Sequence, residues 1–292
     1  MKPGSSHSTD PAVNVMFVHG WGCSWHVWST VAEGLPPSVG VGLAMLPGSP
    51  GGVPFLGSTS LQETAAHVIS QADTLGFDRF ALVGHSMGAR IALEMAANWP
   101  DRVSHLLLVD GSNVPEDPVC AGDRLTQHLA KLGKAQWAAR AIDSMLPHGL
   151  TDAQKNRLLE CVAEHPDSVL VAYYEAMAAW DRDHFTAALE RVSCPIKLLQ
   201  ATSLDESEER HSISNCPHSR WLEGIRKYQP GAVVTAVPNC GHFIMLEHPE
   251  LIAAWLEKTV LPARNRSPQV SVKHVVTNRK TQSISSVGGK LQ

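Results

Sequence analysis

The chain has no run of apolar residues long enough to cross a bilayer. Its first residues, Met1 to Pro11, are polar and lack the apolar core of a secretory signal. No membrane attachment is expected, and a cytoplasmic location is the default. C-x-x-C spacing is missing too. The six cysteines (Cys23, Cys120, Cys161, Cys194, Cys216 and Cys240) are scattered, which reads as free thiols in a reducing compartment. Histidine is plentiful at 15 residues, yet there is no H-E-x-x-H and no Cys/His cluster, so no metal is expected. Charge is scarce, at 18% of residues with a net charge of −4, and gives no reason to expect a nucleic-acid partner. What remains is 43% apolar over 292 residues, enough for one large α/β domain with a sizeable core.

The elements alternate over the first third. Val13–Val18 reads as a strand, Trp25–Leu35 as a helix and Val39–Leu46 as a strand. Ser60 and Glu63 have capping-box spacing and open an amphipathic helix that ends near Gly76. Phe80–Val83 is a buried strand, Ala89–Trp99 a helix and Val103–Val109 the next strand. This order predicts a doubly wound, mostly parallel sheet. Residues 113–192 then show five helical patterns and no strand, which reads as an inserted helical cap. Its candidate pocket linings are Leu146, Tyr173, Met177 and Trp180. The sheet resumes at Pro195–Ala201, followed by a polar loop, Thr202–Ser219, a helix at Trp221–Tyr228, a strand at Val233–Val237 and a closing helix from Pro249. The expected core is thus 12–112 with 193–262, preceded by a disordered 1–11 and followed by a disordered tail, 263–292.

Gly84-His85-Ser86-Met87-Gly88 stands between a strand and a helix, the setting of a G-x-S-x-G nucleophile elbow. Such a turn exposes the Ser86 hydroxyl and points a helix N-terminus at it. His242 follows the last strand, in Gly241-His242-Phe243, where a neutral imidazole could take the serine proton and return it to a leaving group. Backbone N–H groups of Met87 and Trp21 are the expected oxyanion donors, with His19-Gly20 letting the backbone approach the substrate. Two carboxylates compete to orient the histidine. Asp205 follows the strand Pro195–Ala201, and Asp110 ends the strand after the elbow helix. Trp180 joins Trp21, Met87, His19 and Gly20 as a candidate substrate contact.

The stretches His19-Gly20-Trp21-Gly22, Gly84–Gly88 and Gly241-His242-Phe243 with Leu246–Glu250 resemble the α/β-hydrolase superfamily, over about Val13 to Leu261. Phe17–Gly22 followed by Trp28 is similar to the pimeloyl-carrier-protein methyl ester esterases, which implies a carboxylesterase branch. Ala44 stands where the family's next loop usually has an acid. The resemblance implies a cofactor-free serine hydrolase, monomeric or homodimeric, acting on a small ester, free or carrier-protein-linked. A second reading keeps His242 as base for carbon–carbon bond hydrolysis, lactone opening or cofactor-free dioxygenation, and the resembling dioxygenases place their acid where Asp110 stands. A third is a hydrolase-fold ligand receptor.

Overall fold

The computed structural model describes residues 13–55, 60–114, 117–145, 149–204, 210–214 and 219–261. The expectations for residues 1–11 and 263–292, and for Leu146, Asp205 and Cys216, lie outside the described residues. Six parallel strands form the sheet: β1 (Val13–Val18), β2 (Val39–Leu43), β3 (Phe80–His85), β4 (Val103–Val109), β5 (Ile196–Gln200) and, last in the sheet, Val233–Ala236. Their order puts β3 and β4 in the centre, with β1 and β2 on one side and β5 and Val233–Ala236 on the other. Crossovers are α1 (Ser29–Glu33, after a 3₁₀ turn at Trp25–Trp28), α2 (Leu61–Leu75) and α3 (Met87–Asn98). The first strand-to-strand connection is therefore less helical than its sequence suggests. β2 also stops at Leu43, where Ala44 N–H still donates to Phe17 O.

Strand periodicity explains the core. Met16, Val18, Leu82, Leu106, Leu108 and Leu198 fill one side of the sheet. Their neighbours Val15, Phe17, Val83, Leu107, Val109 and Leu199 fill the other. Alternate side chains point to opposite faces and helices cover both, so the central strands are apolar at every position. Local signals are consistent with this frame. The Ser60 hydroxyl accepts from Glu63 N–H while the Glu63 carboxylate accepts from Ser60 N–H, and α2 ends at Gly76 in the left-handed conformation.

Between β4 and β5 lie α4 (Pro118–Leu132), α5 (Lys134–Met145), α6 (Asp152–Glu164), α7 (Asp167–Asp183) and α8 (Phe185–Arg191). Of these, α8 packs with α3 and with α9 (Arg220–Tyr228), and Phe185 stacks on Trp221 with ring centroids 5.1 Å apart. The stretch expected as a polar loop contains a two-stranded antiparallel hairpin, β6 (Thr202–Leu204) and β7 (Arg210–Ser212). The last sheet strand is accordingly β8. The last described elements are two helices, α10 (Ile244–Glu247) and α11 (Pro249–Thr259). No helix among the described residues is long and apolar enough to cross a membrane.

Candidate active site

The parallel strands end on one edge, and backbone strain collects there. Three non-glycine residues have positive φ among the described residues: Ser86 at 53°, Asp110 at 45° and Asn239 at 56°. They follow β3, β4 and β8. L-residues avoid this region unless the surroundings enforce it, and such outliers gather at functional sites. The Ser86 turn is enforced by packing. A Cβ at Gly84 would lie 2.2 Å from Gly88 O, and one at Gly88 would lie 2.3 Å from Val18 O. Only glycine lets β3, α3 and β1 approach this closely. Ser86 N–H donates to Val109 O at 3.0 Å, which fastens the turn to β4.

Asp110 has no exposed surface. Its Oδ1 accepts from Ala201 N–H at 2.7 Å and Thr202 N–H at 2.8 Å. Its Oδ2 accepts from the Thr202 hydroxyl at 2.5 Å and lies 2.7 Å from His242 Nδ1. Burial pushes this carboxyl above its ordinary value, against the opposing pull of Arg210 and the Thr202 hydrogen bonds. Four acceptor positions with four donors suit an ionised carboxylate that fixes an Nδ1–H tautomer and leaves Nε2 as the base. The end of β5, which the sequence offers as the site of Asp205, supplies the N–H groups that hold Asp110.

His242 is held from three sides. Its N–H donates to Met145 O on α5 at 2.9 Å, and its carbonyl lies 2.9 Å from His85 Nε2. Next to it, Gly241 N–H donates to Glu247 Oε1 at 2.8 Å. Burial, then Arg210 and Arg90, hold its imidazole well below the ordinary histidine value, so it is neutral at neutral pH.

Ser86 and His242 open into one cavity of about 650 Å³. The helical insertion closes it with Leu125 and Arg124 from α4, Trp137 and Met145 from α5, and Tyr174 and Met177 from α7. Trp21 also lines it, with its indole N–H donating to Leu170 O at 2.8 Å, and its backbone N–H has no acceptor among the described residues. Met87 opens α3 directly after Ser86, so its N–H is one of the unpaired donors of a helix start. Gly20 sits tight beneath the site: a Cβ there would meet His85 Nδ1 at 2.8 Å.

Three of the expected contacts lie elsewhere. His19 is buried behind the cavity with Nδ1 2.9 Å from Gly20 O. Trp180 is buried against Phe185 and donates from Nε1 to Glu94 Oε2 at 2.8 Å, so it packs core rather than substrate space. Tyr173 donates to Pro47 O at 3.1 Å. Of the expected linings on α7, Met177 does face the cavity, and Tyr174 rather than Tyr173 joins it there. Arg90, Arg210 and Thr202 are further site residues that sequence reasoning missed. The only hint was Arg90's place in the elbow helix.

A serine on a strained strand-to-helix turn, beside a buried carboxylate–imidazole pair at the carboxyl edge of a parallel sheet, marks the doubly wound proteins that build hydrolytic sites on strand ends. The chain belongs to the alpha/beta hydrolase family, whose model matches residues 15–255. It is 25% identical over 264 residues to a pimeloyl-[acyl-carrier protein] methyl ester esterase of Aromatoleum aromaticum, covering 85% of this chain and 98% of that one. Against a biotin biosynthesis bifunctional protein BioHC of Cellvibrio japonicus it is 30% identical over 246 residues, covering 77% of this chain but 47% of the relative, so the match spans about half of that protein. A hydrolase of Pseudomonas aeruginosa has the same fold, with a TM-score of 0.70 at 18% identity over 84% of this chain and 89% of that one.

Proposed function

We propose that the protein is a serine hydrolase that cleaves a small carboxylic ester through an acyl-enzyme on Ser86. The observation that carries the reading is the buried Asp110–His242 contact of 2.7 Å, beside a cavity onto which both His242 and Ser86 open. His242 Nε2 takes the hydroxyl proton as Ser86 Oγ attacks the ester carbonyl. Asp110 holds the tautomer and stabilises the imidazolium that forms. The N–H groups of Met87 and Trp21 receive the oxyanion. Collapse expels the alcohol, which takes the proton from His242. A water deprotonated by His242 then releases the acid and frees Ser86. No step requires a cofactor. The apolar cavity wall favours an acyl chain under the insertion, and the relatives named as methyl ester esterases favour a small alcohol.

The test is labelling with a fluorophosphonate probe. Wild type is expected to label and Ser86→Ala to remain unlabelled and inactive while folded. Absence of labelling in folded wild type would refute an activated serine. A second reading, cofactor-free dioxygenation by the His242 base, is favoured by one observation: the carboxylate that holds His242 stands after β4. Oxygen uptake that survives Ser86→Ala would select it.

A further inference from the structure

The largely apolar cavity wall carries cations at three positions. Arg90, Arg124 and Arg210 line it, and no aspartate or glutamate does so among the described residues. The carboxylates that balance two of these arginines stand behind the wall. Neither Asp181 nor Asp110 lines the cavity; both are buried, as is Arg90, whose side chain is 2% exposed. Among the described residues, a ligand in the cavity thus meets guanidinium groups, that of Arg210 foremost, and no carboxylate.

Arg210 is the most telling. Its side chain is only 9% exposed. Nη1 donates to the Thr202 hydroxyl at 2.7 Å and stands 3.5 Å from Asp110 Oδ2. That carboxylate already has four closer donors, so it does not use up the guanidinium. A guanidinium carries five N–H donors, and the rest of this one finds no acceptor among the described residues. Arg90 leaves Nη1 uncommitted in the same way, because Asp181 engages Nε and Nη2. The two cations repel, and Arg90 adds to the burial that depresses Arg210 below its ordinary value. An anion between them would relieve both costs.

We propose that Arg210 and Arg90 form an anion subsite, and that the ester carries a second, free carboxylate, as in a monoester of a short dicarboxylic acid. The planar carboxylate suits the fork geometry of arginine. The apolar remainder of the wall, with Leu125, Trp137 and Met177, takes the methylenes between the two ends. This inference rests on the ester-cleaving reading of Ser86.

The decisive comparison is between two 4-nitrophenyl esters of matched length, the glutarate monoester and the pentanoate. Wild type should prefer the charged ester in kcat/KM by about ten- to a hundredfold, the scale of a charge-assisted hydrogen bond. Rising salt should erode the preference. In Arg210→Gln the ratio of the two esters should fall close to one, whatever happens to the absolute rates, and Arg210→Lys should restore part of it. Glutarate should bind folded Ser86→Ala, and the additional Arg210→Gln change should abolish that binding. Equal or better cleavage of pentanoate by wild type overturns the subsite and leaves the esterase reading intact. Arg210-dependent glutarate binding by a protein that cleaves neither ester upholds the subsite and refutes the esterase reading. The wild-type preference and its salt dependence need no variant, so a misfolded Arg210→Gln does not blunt the test.

Discussion

Two buried arginine–aspartate pairs flank the cavity, and they are built differently. At the seam between core and insertion, Arg90 on α3 grips Asp181 on α7 through two bonds of 2.8 and 2.7 Å, and Asp181 also accepts from Val114 N–H at 2.6 Å. At the rim of the sheet, Arg210 stands 3.5 Å from Asp110, whose oxygens are committed to His242 and to the start of β6. The first geometry saturates the aspartate with the arginine and makes a clasp. The second keeps the aspartate for an imidazole and leaves the arginine facing the cavity. The same residue types thus hold the insertion down in one place and tune an imidazole in the other. What separates them is which partner reaches the carboxylate first.

The largest effect should come from the rim. Asp110→Asn removes the acceptor for His242 Nδ1–H and favours the wrong tautomer. A fall in kcat of about 10³- to 10⁴-fold is expected with the fold retained, by analogy with the same change in a serine protease triad. Steady-state kinetics on a variant with an unchanged circular dichroism spectrum checks it. A loss below tenfold would mean that Asp110 does not orient the base. At the seam the effect should appear in stability instead. Asp181→Ala strands a buried guanidinium, and breaking such a pair typically costs about 3–5 kcal/mol. A urea titration measures this, and a midpoint equal to wild type would demote the clasp to an incidental contact.

A third, smaller effect tests whether the buried histidines next to the site behave as neutral groups. Burial holds His19 at about 4 when folded, against about 6.5 in the unfolded chain. The unfolded state therefore binds more protons between these values. The stability that His19 contributes is fully present above about pH 6.5 and drains away as pH falls toward 4, by about 3 kcal/mol in all. His85 is depressed too, by burial first and His242 next, and should add to the same slope. Denaturant midpoints measured from pH 7 to pH 4.5, in wild type and in His19→Asn, read the difference directly. Parallel curves would refute the assignment.

The contrast also marks what the sequence can carry. The rim was legible because its signals are short-range. Glycine spacing forces the Ser86 turn, an apolar strand precedes it, and Gly241-His242 follows another strand. Asp110 was in view, but choosing it over Asp205 required knowing that Ala201 and Thr202 N–H groups converge on one carboxylate 91 and 92 residues away in sequence. The seam and the wall were not legible. Helical patterning shows which residues of α7 share a stripe, but a rotation of one residue separates Tyr173, which bonds Pro47, from Tyr174, which lines the cavity. Arg210 lay in a stretch rich in charge and read as a polar loop. Only the fold of the β6–β7 hairpin turns its guanidinium inward.

The smallest prediction sharpens the comparison most, because it separates a tuning charge from a clasp. Arg210 and Arg90 both depress the His242 imidazole, and burial does so more than either. Activity requires the neutral imidazole, so the acidic limb of kcat/KM lies at the folded value, well below the ordinary one. Replacing Arg210 by Gln removes the cation nearest the Asp110–His242 pair. Protonation of both groups then becomes easier, and the acidic limb should move to higher pH. Arg210→Lys keeps the charge and should hold the limb near its wild-type position. Asp181→Asn acts in the opposite sense. It frees Arg90 from its counter-charge, strengthens the positive field at His242 and should push the limb lower, in the fraction that remains folded. A limb that stays fixed in Arg210→Gln would assign the whole depression to burial. Arg210 would then serve substrate binding alone, and the two pairs would differ in what they hold rather than in what they tune.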